Sequence, residues 1–96
     1  MGTMREERIF GILQELSNRV ESYITTMDDL QEDYHQGRRA NMQIRKAAMK
    51  CIAMADTMMC RFQTIALENH IEEDWAICKV FHARRKKFNE LELFFH

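Results

Sequence analysis

The sequence predicts an all-α fold: an antiparallel three-helix bundle with coiled-coil-like seams that self-associates. Three observations carry this. Proline is absent and glycine occurs only three times in 96 residues, so a β-rich chain would lack its turn residues. From Ile9 to Tyr34, apolar side chains recur at alternating intervals of four and three, the pattern of a helix packed along one seam. The charge then reverses across Gly37: residues 1–36 carry three basic and eight acidic side chains, and residues 37–61 carry six basic and one acidic. A hairpin at Gly37 sets Glu21, Asp28, Asp29, Glu32 and Asp33 beside Arg38, Arg39, Arg45, Lys46 and Lys50. Each exposed pair contributes only a few tenths of a kcal/mol, so the pattern is expected to fix register more than stability.

The whole chain, residues 1–96, reads as one helical domain. Helix 1 is expected at about residues 3–35. Its seam is Ile9, Leu13, Leu16, Val20, Tyr23, Met27, Leu30 and Tyr34, widened by Phe10, Ile12 and Ile24. Thr3 and Glu6 form a capping box at its start, and Gly37 is the natural stop. Gly11 lies opposite the seam and costs about 1 kcal/mol relative to alanine.

Helix 2 is expected at about residues 38–68. Ile44, Ala48, Cys51, Ala55, Met58, Phe62 and Ile65 make its seam, with Ala47, Ile52, Met54, Met59 and Ala66 alongside. Only five of the 23 residues from Arg45 to Leu67 are charged, so this helix is expected at the centre, buried on several sides. Helix 3 is expected at about residues 70–95, opened by a box of Asn69 and Glu72. Its stripe is Ile71, Trp75, Cys78, Phe81, Phe88, Leu91 and Phe95. No glycine or proline marks the Asn69–His70 break, and one continuous helix is the alternative there. The layout is similar to that of three-helix interaction modules such as spectrin-type repeats and syntaxin N-terminal bundles. That likeness is one of fold and assigns no functional residue.

Composition narrows the function classes. Lys and Arg total 14 against 15 Asp and Glu, which argues against a general nucleic-acid binder. A hydrophobic content of 46% suffices to offset chain entropy, so disorder is not expected. The chain has no uninterrupted apolar run of membrane-spanning length, and charges occupy the first ten residues where a signal peptide needs an apolar core. Cys51, Cys60 and Cys78 are odd in number and without paired spacing, which fits reduced thiols in the cytoplasm.

Motifs that could carry chemistry are sparse. Glu32 and His35 have the spacing of a di-iron bundle motif, but such a centre needs two copies and further carboxylates. Cys78 and His82, with Asp74 one turn back, fall short of a zinc set because Cys78 sits in the core stripe. No glycine-rich phosphate loop or nucleophile elbow is present. The expectation is a non-enzyme without cofactor or metal, acting through protein–protein contact as a homodimer. The core seam, with Ile52 and Met59 on helix 2, is expected to serve packing and self-association.

Two features could contact an outside partner, with the basic start of helix 2 (Arg38, Arg39, Arg45, Lys46 and Lys50) as an alternative footprint that its acidic partners in the hairpin make less available. Arg84, Arg85, Lys86 and Lys87 form a basic block on helix 3, able to meet phosphates or an acidic protein. They also sweep about 300° around the helix, so Arg84 or Arg85 must lie at the core edge, where Glu15 and Glu21 could neutralise it. No base-reading residue is interleaved, so a nucleic-acid regulator, the alternative function, would be sequence-tolerant. The second feature is Phe94 and Phe95. Adjacent aromatics on one turn cannot both face one core, and the exposed one is a candidate partner anchor.

Overall fold

A computed structural model describes residues 4–95. Three helices run α1 (Met4–Gln36), α2 (Asn41–Glu68) and α3 (Ala76–Phe94), with no strand among the described residues. Helix α1 packs against both of the others. Its early residue Phe10 stacks on Trp75 just before α3, and its late residue Tyr34 meets Phe94 at the end of α3. Thus α3 runs parallel to α1, with α2 returning antiparallel between them in sequence. The result is a rod of 54 × 19 × 17 Å.

The heptad seam of α1 is largely the core. Leu13, Leu16, Val20, Met27 and Leu30 are buried, with Ile9 and Tyr23 packed partly against them. Two positions differ from expectation. Ile12 is exposed, because it lies on the flank away from α3, and Tyr34 is half-exposed where the seam runs out at the end of the rod. Ile24 is buried as expected, and Ser17, also buried, widens the seam in place of Ile12.

This widening explains why α1, rather than α2, is the helix that packs closely along both of its neighbours. The Tyr23 carbonyl accepts a hydrogen bond from the Cys51 thiol of α2 at 3.6 Å, while Ser17 and Glu21 meet Arg84 of α3. The apolar breadth of α2 is only partly used. Ile44, Ala48, Ala55 and Phe62 are buried, as are Ile52 and Met59, which therefore serve the core of one chain. Met42, Met49, Met54 and Leu67 remain exposed.

Both turns are Schellman caps, which end a helix by placing one residue in the left-handed region. At Gly37 (φ +65°) the Arg38 amide donates to the Asp33 carbonyl and the Gly37 amide to that of Tyr34. At His70 (φ +56°) the Ile71 amide donates to Ala66 and the His70 amide to Leu67. The second cap supplies the break that no glycine or proline signalled. Asn69 turns backwards, its side-chain amide donating to the Ile65 carbonyl at 2.8 Å, so it closes α2 instead of opening α3. Helix α3 starts only at Ala76, after Trp75, without a side-chain cap. The expected box at the start of α1 involves Thr3, which lies outside the described residues.

Charge fixes the first turn more narrowly than expected. Asp33, nearly buried, pairs with Arg39 at 3.1 Å and Arg38 at 3.7 Å. Arg45, Lys46 and Lys50 make no ion pair with Asp28, Asp29 or Glu32, because these side chains leave the hairpin on outward faces. Register along the hairpin is set by apolar packing.

Gly11 sits mid-helix on the exposed face, and a Cβ there would meet nothing within 4 Å. Gly11→Ala is expected to stabilise the fold by about 1 kcal/mol through chain entropy. Thermal unfolding followed by circular dichroism should show a melting temperature higher by about 4–8 °C.

Candidate functional site: an aromatic cleft at one end of the rod

Because α1 and α3 are parallel, both finish at the same end of the rod, and the tight Gly37 turn starts α2 there as well. Tyr34, Asn41, Met42, Ile44, Arg45, Phe94 and Phe95 line a cleft of about 510 Å³ at this end. Phe94 is its pivot. Its ring meets Tyr34 edge-on at 5.4 Å and Phe95 at 4.9 Å, while His35 lies 5.5 Å away. Phe95 packs partly into the core and Phe94 stays more open, so the two adjacent rings divide as their spacing demands.

The cleft has a buried floor and a wet rim. Ile44 is buried at its base, and Met42 stands 71% exposed at its edge. Arg45 lies exposed on the same rim and pairs with no carboxylate of the described residues. A concave surface that combines apolar and aromatic walls with a few polar groups is a common form of recognition site. Of this set, Phe94 and Phe95 are legible in sequence as anchors. Asn41, Met42, Ile44 and Arg45 are not, because only the turn at Gly37 brings the start of α2 to the end of α3.

The basic block is divided by the helix. Arg84 faces α1, where its guanidinium donates to Ser17 Oγ at 2.8 Å and Asn18 Oδ1 at 3.2 Å, and pairs with Glu21 at 3.3 Å. Glu21 is thus the neutralising acid, whereas Glu15 pairs with Arg19 on its own helix. Arg85 lies half-buried on the α2 side beside Phe62 and Ala66, and Lys86 and Lys87 are exposed. Successive residues are turned by about 100°, so the four cations present no single face.

Ser17 is 1% exposed, and Arg84 supplies its side-chain partner from outside α1. Arg84→Ala strands that hydroxyl and removes a charged hydrogen bond, each a destabilising change. The variant is expected to lose about 1.5–3 kcal/mol in urea denaturation. Restoring it to Lys should recover only part, since one ammonium cannot span Ser17, Asn18 and Glu21 as a planar fork does.

The candidate metal residues are dispersed. Glu32 accepts from Gln36 at 2.9 Å, and His35 joins the aromatic cluster. Cys78 is buried and His82 points to water beside Phe81. Among the described residues no three His, Cys, Asp or Glu side chains converge. Burial raises the thiol pKa of Cys51, and burial with the nearby Glu73 and Asp74 carboxylates raises that of Cys78. Cys60 is exposed. No helix is long and apolar enough to cross a membrane among the described residues.

Comparison of the chain with protein-family models, curated proteins and solved structures returned no match.

Proposed function

We propose that this chain is a non-enzymatic helical interaction module that works in the cytoplasm by protein–protein contact, as a homodimer. A partner protein anchors in the end cleft. The observation that carries this reading is the aromatic group of Tyr34, Phe94 and Phe95 around a concave floor, with an unpaired Arg45 on its rim. The fitting partner segment carries an apolar or aromatic anchor next to a carboxylate. Buried anchors of that kind contribute most of the energy of small interfaces, and the rim charge chiefly orients the approach.

Site-directed photocrosslinking tests it. A photoreactive phenylalanine analogue at position 94 is expected to capture a partner in the native source, and the adduct should be lost with Arg45→Glu. The same probe at Thr25, on the polar outer face of α1, should capture none. Equal labelling from both positions would dismiss the cleft as the docking point. The alternative, a nucleic-acid-associated regulator, rests on Arg85, Lys86 and Lys87 alone, since Arg84 is engaged within the chain. Salt-dependent retention on heparin, lost when those three charges are reversed, would favour it.

A further inference from the structure

The outward face of α2 has no use within one chain. Met42 (71% exposed), Met49 (56%) and Leu67 (79%) stand on it, with Cys60 exposed between them. These are not scattered. Positions 42, 49, 56 and 63 and positions 46, 53, 60 and 67 are two rows at intervals of seven, interleaved at alternating steps of four and three. That is a second heptad stripe, opposite the one that packs on α1, and it reads Met42, Lys46, Met49, Ala53, Asp56, Cys60, Gln63 and Leu67.

The stripe is complementary to itself in one direction. It is symmetric about the midpoint between Met54 and Ala55. Laid antiparallel on a second copy, Met42 therefore faces Leu67′ and Met49 faces Cys60′, while Lys46 faces Gln63′ and Ala53 faces Asp56′ (primes mark the second copy). The four larger apolar side chains, Met42, Met49, Cys60 and Leu67, each find an apolar partner, while the small Ala53 leaves room beside Asp56′ at the centre. A two-fold interface requires just this self-matching. A parallel pairing also joins like apolar residues, but it stacks Arg45, Lys46 and Lys50 against their own copies. The antiparallel one places those bases against the half of α2 that holds Asp56 and Glu68 with a single base, Arg61, and so avoids stacking three cations on their own copies.

Area points the same way. The chain exposes 6816 Å² at a mass of 11.5 kDa. A compact monomer of that mass exposes about 5,800 Å². The excess, about 1,000 Å², is spread over the whole rod, and in amount it suffices for the roughly 800 Å² that each partner contributes to a standard stable interface.

From this stripe, its symmetry and the surplus surface, we infer that a second copy of this chain covers the outer face of α2, antiparallel, with Met49 against Cys60′ and Met42 against Leu67′. The inference rests on the homodimer reading above and adds its face and direction. The end cleft, apart from Met42 at its rim, stays open in this arrangement.

The test begins with the mass of the native chain by light scattering at micromolar concentration, where a dimer is expected. Met49→Cys is then oxidised with copper phenanthroline in air, the oxidant that takes the two thiol hydrogens and leaves a disulfide. The expected product is a covalent dimer whose digest contains a peptide joining positions 49 and 60. Within one chain these positions are eleven residues apart on a helix, about 16 Å, too far for a disulfide. Met49→Glu with Leu67→Glu should give a monomer with unchanged helicity, because both side chains are already exposed in the single chain. A dimer whose native Cys60 instead joins Cys60′ overturns the direction. A dimer that survives the double glutamate variant overturns the face but leaves self-association standing. A monomeric native chain overturns both.

Discussion

Leu30→Asp is expected to leave the chain unfolded at pH 7. Leu30 is 3% exposed, on the α1 seam that the whole bundle shares. The substitution removes a buried leucine, a loss of about 2–5 kcal/mol from truncation alone. It also places a carboxylate where water cannot reach it. Burial of that kind raises a carboxyl pKa by up to about 3–5 units, and each unit is 1.36 kcal/mol at a pH above the shifted value. The combined cost is comparable to the total stability of a domain this size, about 5–14 kcal/mol. The pH dependence has a definite sign. The folded-state pKa of the new aspartate lies above its unfolded value near 3.9, so the ionic penalty grows as pH rises above that value and vanishes below it. Far-ultraviolet circular dichroism should show little helix at pH 7 and partial recovery near pH 4. A cooperative melt at pH 7 within a few degrees of the parent would show that Leu30 does not support the core.

Phe81→Ala is expected to cost about 3–5 kcal/mol, a large share of the stability of a bundle this size. Phe81 is fully buried and lies face to face with Phe62, ring centroids 3.8 Å apart and planes 3° from parallel. The two rings bridge α2 and α3, whose backbones approach each other less than either approaches α1. Removing one ring leaves a cavity between two helices that have little else to close it. The effect should therefore be uneven. Hydrogen exchange is expected to speed up most in α3 and least in the Leu13–Met27 stretch of α1. Uniform acceleration would mean that α3 is not a separately released element. A double-mutant cycle with Phe62→Ala should return a coupling of about 0.5–1.5 kcal/mol for the aromatic pair.

Much of the fold is legible because α1 obeys a strict heptad. Leu13, Val20 and Met27 can be assigned to the core from spacing alone, and all three are fully buried. The turn at Gly37 is equally plain, since glycine is the residue that takes φ +65° without strain. The turn at His70 is harder to read. A histidine in the left-handed region carries no sequence signal, and Asn69 suits either the end of one helix or the start of the next. The expected centrality of α2 was wrong for a related reason. Periodicity tells how apolar a helix is but not which neighbour covers which side, and Ser17 with Arg84 draws α3 onto α1.

The candidate site was half legible. Phe94 and Phe95 stand out as a pair too large for one face. Arg45 and Met42 become its neighbours only through the parallel placement of α1 and α3. The division of the basic block was legible in part. Helical rotation requires Arg84 or Arg85 to sit at the core edge beside an acid of α1, and Arg84 does so on Glu21, whereas its bond to the buried Ser17 carries no sequence signal.

Three helices are an odd number, and the rod is 54 Å long. The polypeptide accordingly enters at one pole and leaves at the other. Anything joined ahead of Met4 and anything joined behind Phe95 would be held about 5 nm apart along a stiff axis. The bundle is in that sense a strut, and fusing a fluorescent donor and acceptor to its two poles would give a ruler whose reading collapses or spreads as the helices part.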